Sequence, residues 1–172
     1  MTPPLNPPIT LDIARIEASH LAGLVGQFAE LLEESQDSPG ATADPAVLRL
    51  VPDAYDDADD AREFREVTES DLLGRRQADT AVVLASLAQA SGGDMEVTDS
   101  AFAEMAIVTL DGDQAHAWLR TLSAIRLVLA TRLGIADVDD HDEDDPRFGI
   151  YDWLGFRLDT LVAAVESMEE RR

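Results

Sequence analysis

The stretch from Asp111 to Ile135, DGDQAHAWLRTLSAIRLVLATRLGI, constrains the fold more than any other. Asp111 with Gln114 three residues on is a capping-box arrangement, and Gly134 is a good helix terminator. Between them Ala115, Trp118, Leu119, Leu122, Ile125, Leu129 and Leu133 recur at three- and four-residue steps, which is one face of an α-helix. The second half is apolar on its other side as well, through Ala124, Leu127, Val128 and Ala130, and a helix apolar all round is buried. Residues 111–134 are therefore expected to be the central helix against which the others pack. At about 100° per residue, Arg126 falls inside the main stripe, between Leu122 and Leu129. A guanidinium there needs a carboxylate or carbonyl partner, or a path to water for its head.

The rest of the chain supports a mainly α fold: a single bundle of five to six helices, with a disordered tail at 1–9 and one helical domain at 10–172. Thr10 caps a long helix ending near Ser35, with the stripe Ala14, Ala18, Leu21, Leu24, Val25, Phe28, Leu31 and Leu32. Asp44-Pro45 is an N-cap followed by proline at the first helical position, and Pro52 ends that short helix. Ala58–Val67 forms another helix, and Thr68-Glu69-Ser70-Asp71 reads as a fresh cap for one running to Gln89. β-Branched runs at 95–98 and 106–110 allow a small β-hairpin near 95–110, lying on the helices. Asp145-Pro146 opens a last helix to about Glu170, with the stripe Ile150, Tyr151, Leu154, Leu158, Leu161, Val162, Val165 and Met168. Trp153 and Phe156 lie off that stripe, so another element of the chain or a partner must cover them. Cover within the chain is favoured, and a homodimer through this face is the alternative.

Charge and residue types narrow the function. The chain of 172 residues carries 35 acidic side chains against 13 basic ones, a net charge of −22. Every basic residue is arginine. Nucleic-acid binders take most of their affinity from Lys and Arg on phosphates, so direct DNA binding is disfavoured. On the central helix Arg120, Arg126 and Arg132 are spaced by six, about 240° apart, and do not line one face as a recognition helix would need. Cysteine is absent, which excludes disulfides, thiolate chemistry and Cys-type zinc sites. No apolar run reaches the ~20 residues of a membrane span and no signal peptide is visible, so a cytoplasmic location and no membrane partner are expected.

Catalytic chemistry finds little support. His20, His116 and His141 lie in separate segments, and no nucleophile elbow or phosphate-cradling glycine loop occurs. The acidic run Asp137–Asp145 resembles a cation loop in composition. Counted from Asp137, however, the sixth place is Asp142 where an EF-hand needs Gly, and the twelfth is Phe148 where it needs Glu. A solvated loop is the expectation there. No enzyme activity, cofactor or metal is expected.

Several motifs in order carry a resemblance. They are Arg49-Leu50-Val51-Pro52-Asp53-Ala54-Tyr55, Glu63-Phe64-Arg65 and Thr68-Glu69-Ser70-Asp71-Leu72, then Ala117–Leu122, Ile125–Ile135 and Tyr151-Asp152-Trp153-Leu154-Gly155. On these the chain resembles an actinobacterial domain-of-unknown-function family that includes the oxidative-stress regulator AosR. The resemblance implies a stress-linked transcription regulator, acting with an alternative sigma factor on genes of thiol biosynthesis. Redox control in the family is thiol-based, and a chain without cysteine cannot operate that switch. The resemblance supplies no catalytic or ligand-binding residues.

The candidates for structure and interaction are Arg126, Trp118, Trp153, Phe156 and Tyr151. Asp53, Glu63, Asp71 or a backbone carbonyl is the expected partner of Arg126. The expected activity is regulation through protein contacts with a sigma factor or RNA polymerase. The alternative is an acidic helical adaptor or scaffold outside transcription.

Overall fold

A computed structural model describes residues 8–37, 44–51, 56–90, 104–136 and 141–170. In chain order the elements are β1 (Ile9–Ala14), α1 (Arg15–Asp37), α2 (Pro45–Leu48), α3 (Ala58–Ala90), β2 (Met105–Leu110), α4 (Gly112–Leu133), a 3-10 turn (Pro146–Phe148) and α5 (Gly149–Glu169). The fold is mainly helical, with one two-stranded antiparallel sheet.

Helix α4 forms where its local signals place it. Asp111 accepts the Gln114 amide at 2.8 Å, and the Gln114 side chain accepts the Asp111 amide at 2.9 Å, so both halves of the capping box are made. Gly134 closes the helix at φ 72°, left-handed backbone that a Cβ would strain. Ala115, Trp118, Leu122, Ile125 and Val128 are all buried, and α4 lies against α3 and α5 while also touching α1 and α2. It is the central helix. Asp44 caps α2 with proline at its first turn, and Asp145 caps the 3-10 turn that leads into α5. In α5 the stripe holds at Tyr151, Leu154, Leu161, Val165 and Met168, whereas Ile150 and Val162 are exposed.

Three expectations are corrected. The helix expected from Thr10 starts only at Arg15, because residues 9–14 are strand β1; the end assigned to the tail, Ile9, is buried there against Leu110. The sequence ITLDIA alternates apolar and polar, and Ile9 and Ile13 use that period of two to face the core. Strand β2 falls within the span expected for a hairpin, but its partner is β1, with Ile9 opposite Leu110 and Ala14 opposite Met105. Residues 95–98 lie outside the described ones, as does the tail at 1–7. The helices expected at 58–67 and 68–89 are one continuous α3. Thr68 does not cap. Its hydroxyl donates to the Phe64 carbonyl four residues back at 2.9 Å, as a threonine inside a helix does.

Candidate interaction surface

The sheet register decides which backbone groups are spent and which are open. In an antiparallel pair, alternate residues exchange both ladder bonds with the facing strand, and those between turn their N–H and C=O outward. The Arg15 amide donates to the Glu104 carbonyl at 2.9 Å, which continues the register and makes the odd residues of β1 the ladder-bonded ones. Thr10, Asp12 and Ala14 therefore present their backbone to the outer edge of β1, and Met105, Ile107 and Thr109 to the outer edge of β2.

The two edges differ. That of β1 is engaged by helices. Glu17, in the first turn of α1, accepts the Ala14 amide at 3.1 Å on Oε2 and the Trp153 indole N–H at 3.1 Å on Oε1. Arg157 of α5 donates to the same Glu17 carboxylate and to the Asp12 carbonyl at 3.2 Å. Burial opposes the charge of Glu17, but the Trp153 and Ala14 N–H groups and Arg157 outweigh it and hold its carboxyl below the usual range. Beside this junction, β1, α1, α4 and α5 enclose a mostly apolar cavity of about 210 Å³, whose lining includes Leu11, Ile13, Trp118, Leu161 and Arg157. On the edge of β2, by contrast, no described residue bonds to Met105, Ile107 or Thr109. The side chains of these three share the solvent face, with Met105 62% and Ile107 61% exposed.

The five residues singled out from sequence divide among different places. Trp118 is buried in the core on α4. Trp153 packs partly against the core and is tied to Glu17, so the chain itself covers it, while Phe156 stays 63% exposed. Arg126 and Tyr151 meet. The Arg126 guanidinium carbon lies 4.1 Å over the Tyr151 ring centroid, and its Nε donates to the Tyr151 carbonyl at 3.3 Å. The expected carbonyl partner is thus found on α5, and among the described residues no carboxylate bonds to Arg126: Glu63 is exposed on α3, as is Asp71, and Asp53 lies outside the described residues.

The expectation of a solvated loop fails at His141. Its side chain is only 6% exposed, its Nε2 lies 2.7 Å from Asp152 Oδ1, and its ring packs against Phe148 and Tyr151. Asp137–Asp140, the other end of the acidic run, are outside the described residues. Among the described residues, no group of three or more His, Asp or Glu side chains is placed to hold a metal ion, and no helix is long and apolar enough to cross a membrane.

Most arginines with described side chains are engaged within the chain. Arg120 grips Asp79 through Nε at 2.7 Å and Nη2 at 2.8 Å, and Arg132 grips Asp44 at 2.5 Å. Arg147 pairs with Asp145, Arg62 with Asp59, and Arg15 with Glu104. Arg76 donates to the Leu50 carbonyl at 3.1 Å and Arg49 to the Thr131 hydroxyl at 3.3 Å. With Arg126 and Arg157 placed as above, Arg75 is an arginine with a described side chain for which no such partner is found. Glu17, Arg157, Met105 and Ile107 were not singled out from sequence, and His141 was weighed only as a histidine of the acidic run. The alternation in ITLDIA and MAIVTL was the available signal for the strands, but pairing them needs the fold.

Comparison with known proteins adds one match. The sequence model of a family described as Domain of unknown function (DUF2017) matches residues 2–165. No curated protein matches the chain, and no solved structure does.

Proposed function

The chain belongs to the DUF2017 family of unknown function, and we propose that it is a non-enzymatic regulator that works by gripping a basic protein surface. The observation that carries this reading is the fate of its arginines. An excess of 35 acidic over 13 basic side chains already repels nucleic acid. Among the arginines with described side chains, Arg15, Arg49, Arg62, Arg76, Arg120, Arg126, Arg132, Arg147 and Arg157 are committed to carboxylates, carbonyls, a hydroxyl or an aromatic ring within the chain, Arg75 being the exception, which reduces the cationic surface left for phosphates. A field of this sign steers a basic protein partner and speeds its encounter. The resemblance to the family that includes AosR makes a sigma factor or RNA polymerase the partner of choice, in transcription control under oxidative stress and in the cytoplasm. Without cysteine, the stimulus reaches this chain by a route other than its own thiols.

Two measurements test the proposal together. In a gel shift at physiological salt, the purified protein is expected to leave promoter DNA unshifted. In affinity capture from its own cells, it is expected to retain a basic component of the transcription machinery, released as salt is raised. A strong, sequence-specific shift refutes the reading. Capture of partners unrelated to transcription favours the acidic adaptor instead.

A further inference from the structure

Natural proteins protect the exposed edge of a sheet with lysine, proline, a bulge or a covering element. Among the described residues the first three are absent from β2: MAIVTL contains no charged residue and no proline, and pairs cleanly with β1 along its whole length. Among the described residues, none takes the outward N–H and C=O of its three outward residues. The side chains on the same positions include two large apolar ones, Met105 and Ile107, both more than half exposed. An open ladder together with an apolar strip in register with it is the arrangement that strand addition uses.

Charge selects the occupant. Acidic residues bracket the edge, with Glu104 at one end and Asp111 and Asp113 at the other, all exposed, and Asp12 stands across the sheet from Ile107 on the same face. The basic residue near this edge, Arg15, is already paired with Glu104. A second copy of the chain would bring the same acidic bracket and another −22 charges. We infer that the outer edge of β2 receives an extended segment of a partner protein as a third strand, with apolar side chains opposite Met105 and Ile107 and lysine or arginine at both ends. This rests on the reading of the chain as a docking protein for a basic partner and says where the docking takes place.

Hydrogen exchange read at single amides tests the site. In the free protein the amides of Met105, Ile107 and Thr109 are expected to exchange fast, and those of Ala106 and Val108 slowly. The probe is a synthetic peptide, Lys-Arg-Val-Thr-Val-Arg-Lys, against the same composition with an aspartate at each valine. The first peptide is expected to slow the three outward amides and the second to leave them unchanged. Ile107→Lys is expected to weaken the first peptide at least tenfold. Val162→Lys, which makes the same charge change on exposed α5, is expected to weaken it less than twofold. Ile107→Pro removes an outward N–H without touching the ladder to β1, and is expected to match Ile107→Lys. Thermal melting identifies any variant that fails to fold.

Slow outward amides in the free protein overturn the inference, as do protection that appears only on self-association, no protection by the first peptide, or equal loss in Ile107→Lys and Val162→Lys. Cell capture separates this from the broader reading. If wild type and Ile107→Lys retain the same basic transcription protein equally, the β2 site is wrong and the function stands. If wild type retains none, the function itself fails.

Discussion

Gly155→Ala measures how firmly Arg126 is held. Gly155 sits inside α5, where alanine ordinarily stabilises a helix by about 1 kcal/mol over glycine. Here a Cβ would stand 3.2 Å from Arg126 Nη2 and 3.3 Å from its Cζ and Nε. The guanidinium has to give way, yet it is fixed from two other sides, over the Tyr151 ring at 4.1 Å and against the Tyr151 carbonyl at 3.3 Å. Moving it forfeits about 1 kcal/mol of cation–π attraction. It also forfeits about 1 to 1.5 kcal/mol of a charged hydrogen bond that is long for its kind. Set against the helix gain, the substitution should destabilise the wild type by about 1 kcal/mol. In an Arg126→Met background the obstacle is gone, and the same substitution should stabilise by about 1 kcal/mol. Urea unfolding of the four proteins of this cycle gives a coupling of about 2 kcal/mol, or opposite shifts of Tm of about 2–4 °C. Equal stabilisation in both backgrounds would show that the guanidinium yields freely, and the role of Arg126 as a strut between α4 and α5 would be lost.

Glu17→Ala removes the acceptor shared by Ala14, Trp153 and Arg157 and leaves the Arg157 side chain, 18% exposed, without its carboxylate. A loss of about 2–3 kcal/mol in urea unfolding is expected, with a change in Trp153 fluorescence; a loss no greater than that of exposed Glu30→Ala contradicts the junction. Because the folded state lowers the Glu17 pKa, its contribution is complete above the unfolded value of about 4.3 and drains as pH falls through the folded value. The acid limb of a stability–pH curve should therefore flatten in Glu17→Gln, and an unchanged limb would refute the assignment. Asp111→Ala deletes half of the capping box and should cost about 1 kcal/mol, read as a lower urea midpoint. Leu122→Ala, at a side chain only 1% exposed in the middle of α4, should cost about 2–5 kcal/mol by leaving a cavity, and a loss below about 1 kcal/mol would deny that α4 is central.

The candidate surface was less legible than the fold. Trp153 and Phe156 drew notice as large aromatics off a helical stripe, and only one of them is left uncovered, because Glu17 reaches across from α1 to bond the Trp153 indole. Met105 and Ile107 alternate with Ala106 and Val108, but alternation cannot say which set faces solvent until the strand has a neighbour and a layer beneath it. His141 shows the limit from the other side. In the run DVDDHDEDD every neighbour in sequence argues for water, yet Phe148, Tyr151 and Asp152, close by on the turn and α5, enclose it.

What the sequence determined by itself is the set of elements whose signals are local. The capping box at Asp111, the left-handed Gly134, the caps at Asp44 and Asp145 each followed by proline, and the apolar period of α4 all act within a few residues, so they survive without knowledge of the fold. The excess of acid is equally independent of structure. Tertiary structure decided the rest. Strand β1 exists because residues 9–14 find residues 105–110 far along the chain, which a helix-forming reading of the same residues could not foresee. Helix α3 runs through Thr68–Asp71 despite a cap-like sequence. Arg126 settled on the carbonyl and ring of Tyr151, from a helix that the chain reaches only after α4 has ended. Each of these depends on which segments come together, and the free energy of that meeting outweighs local preference by more than the few tenths to one kcal/mol, roughly, that a propensity or a cap supplies.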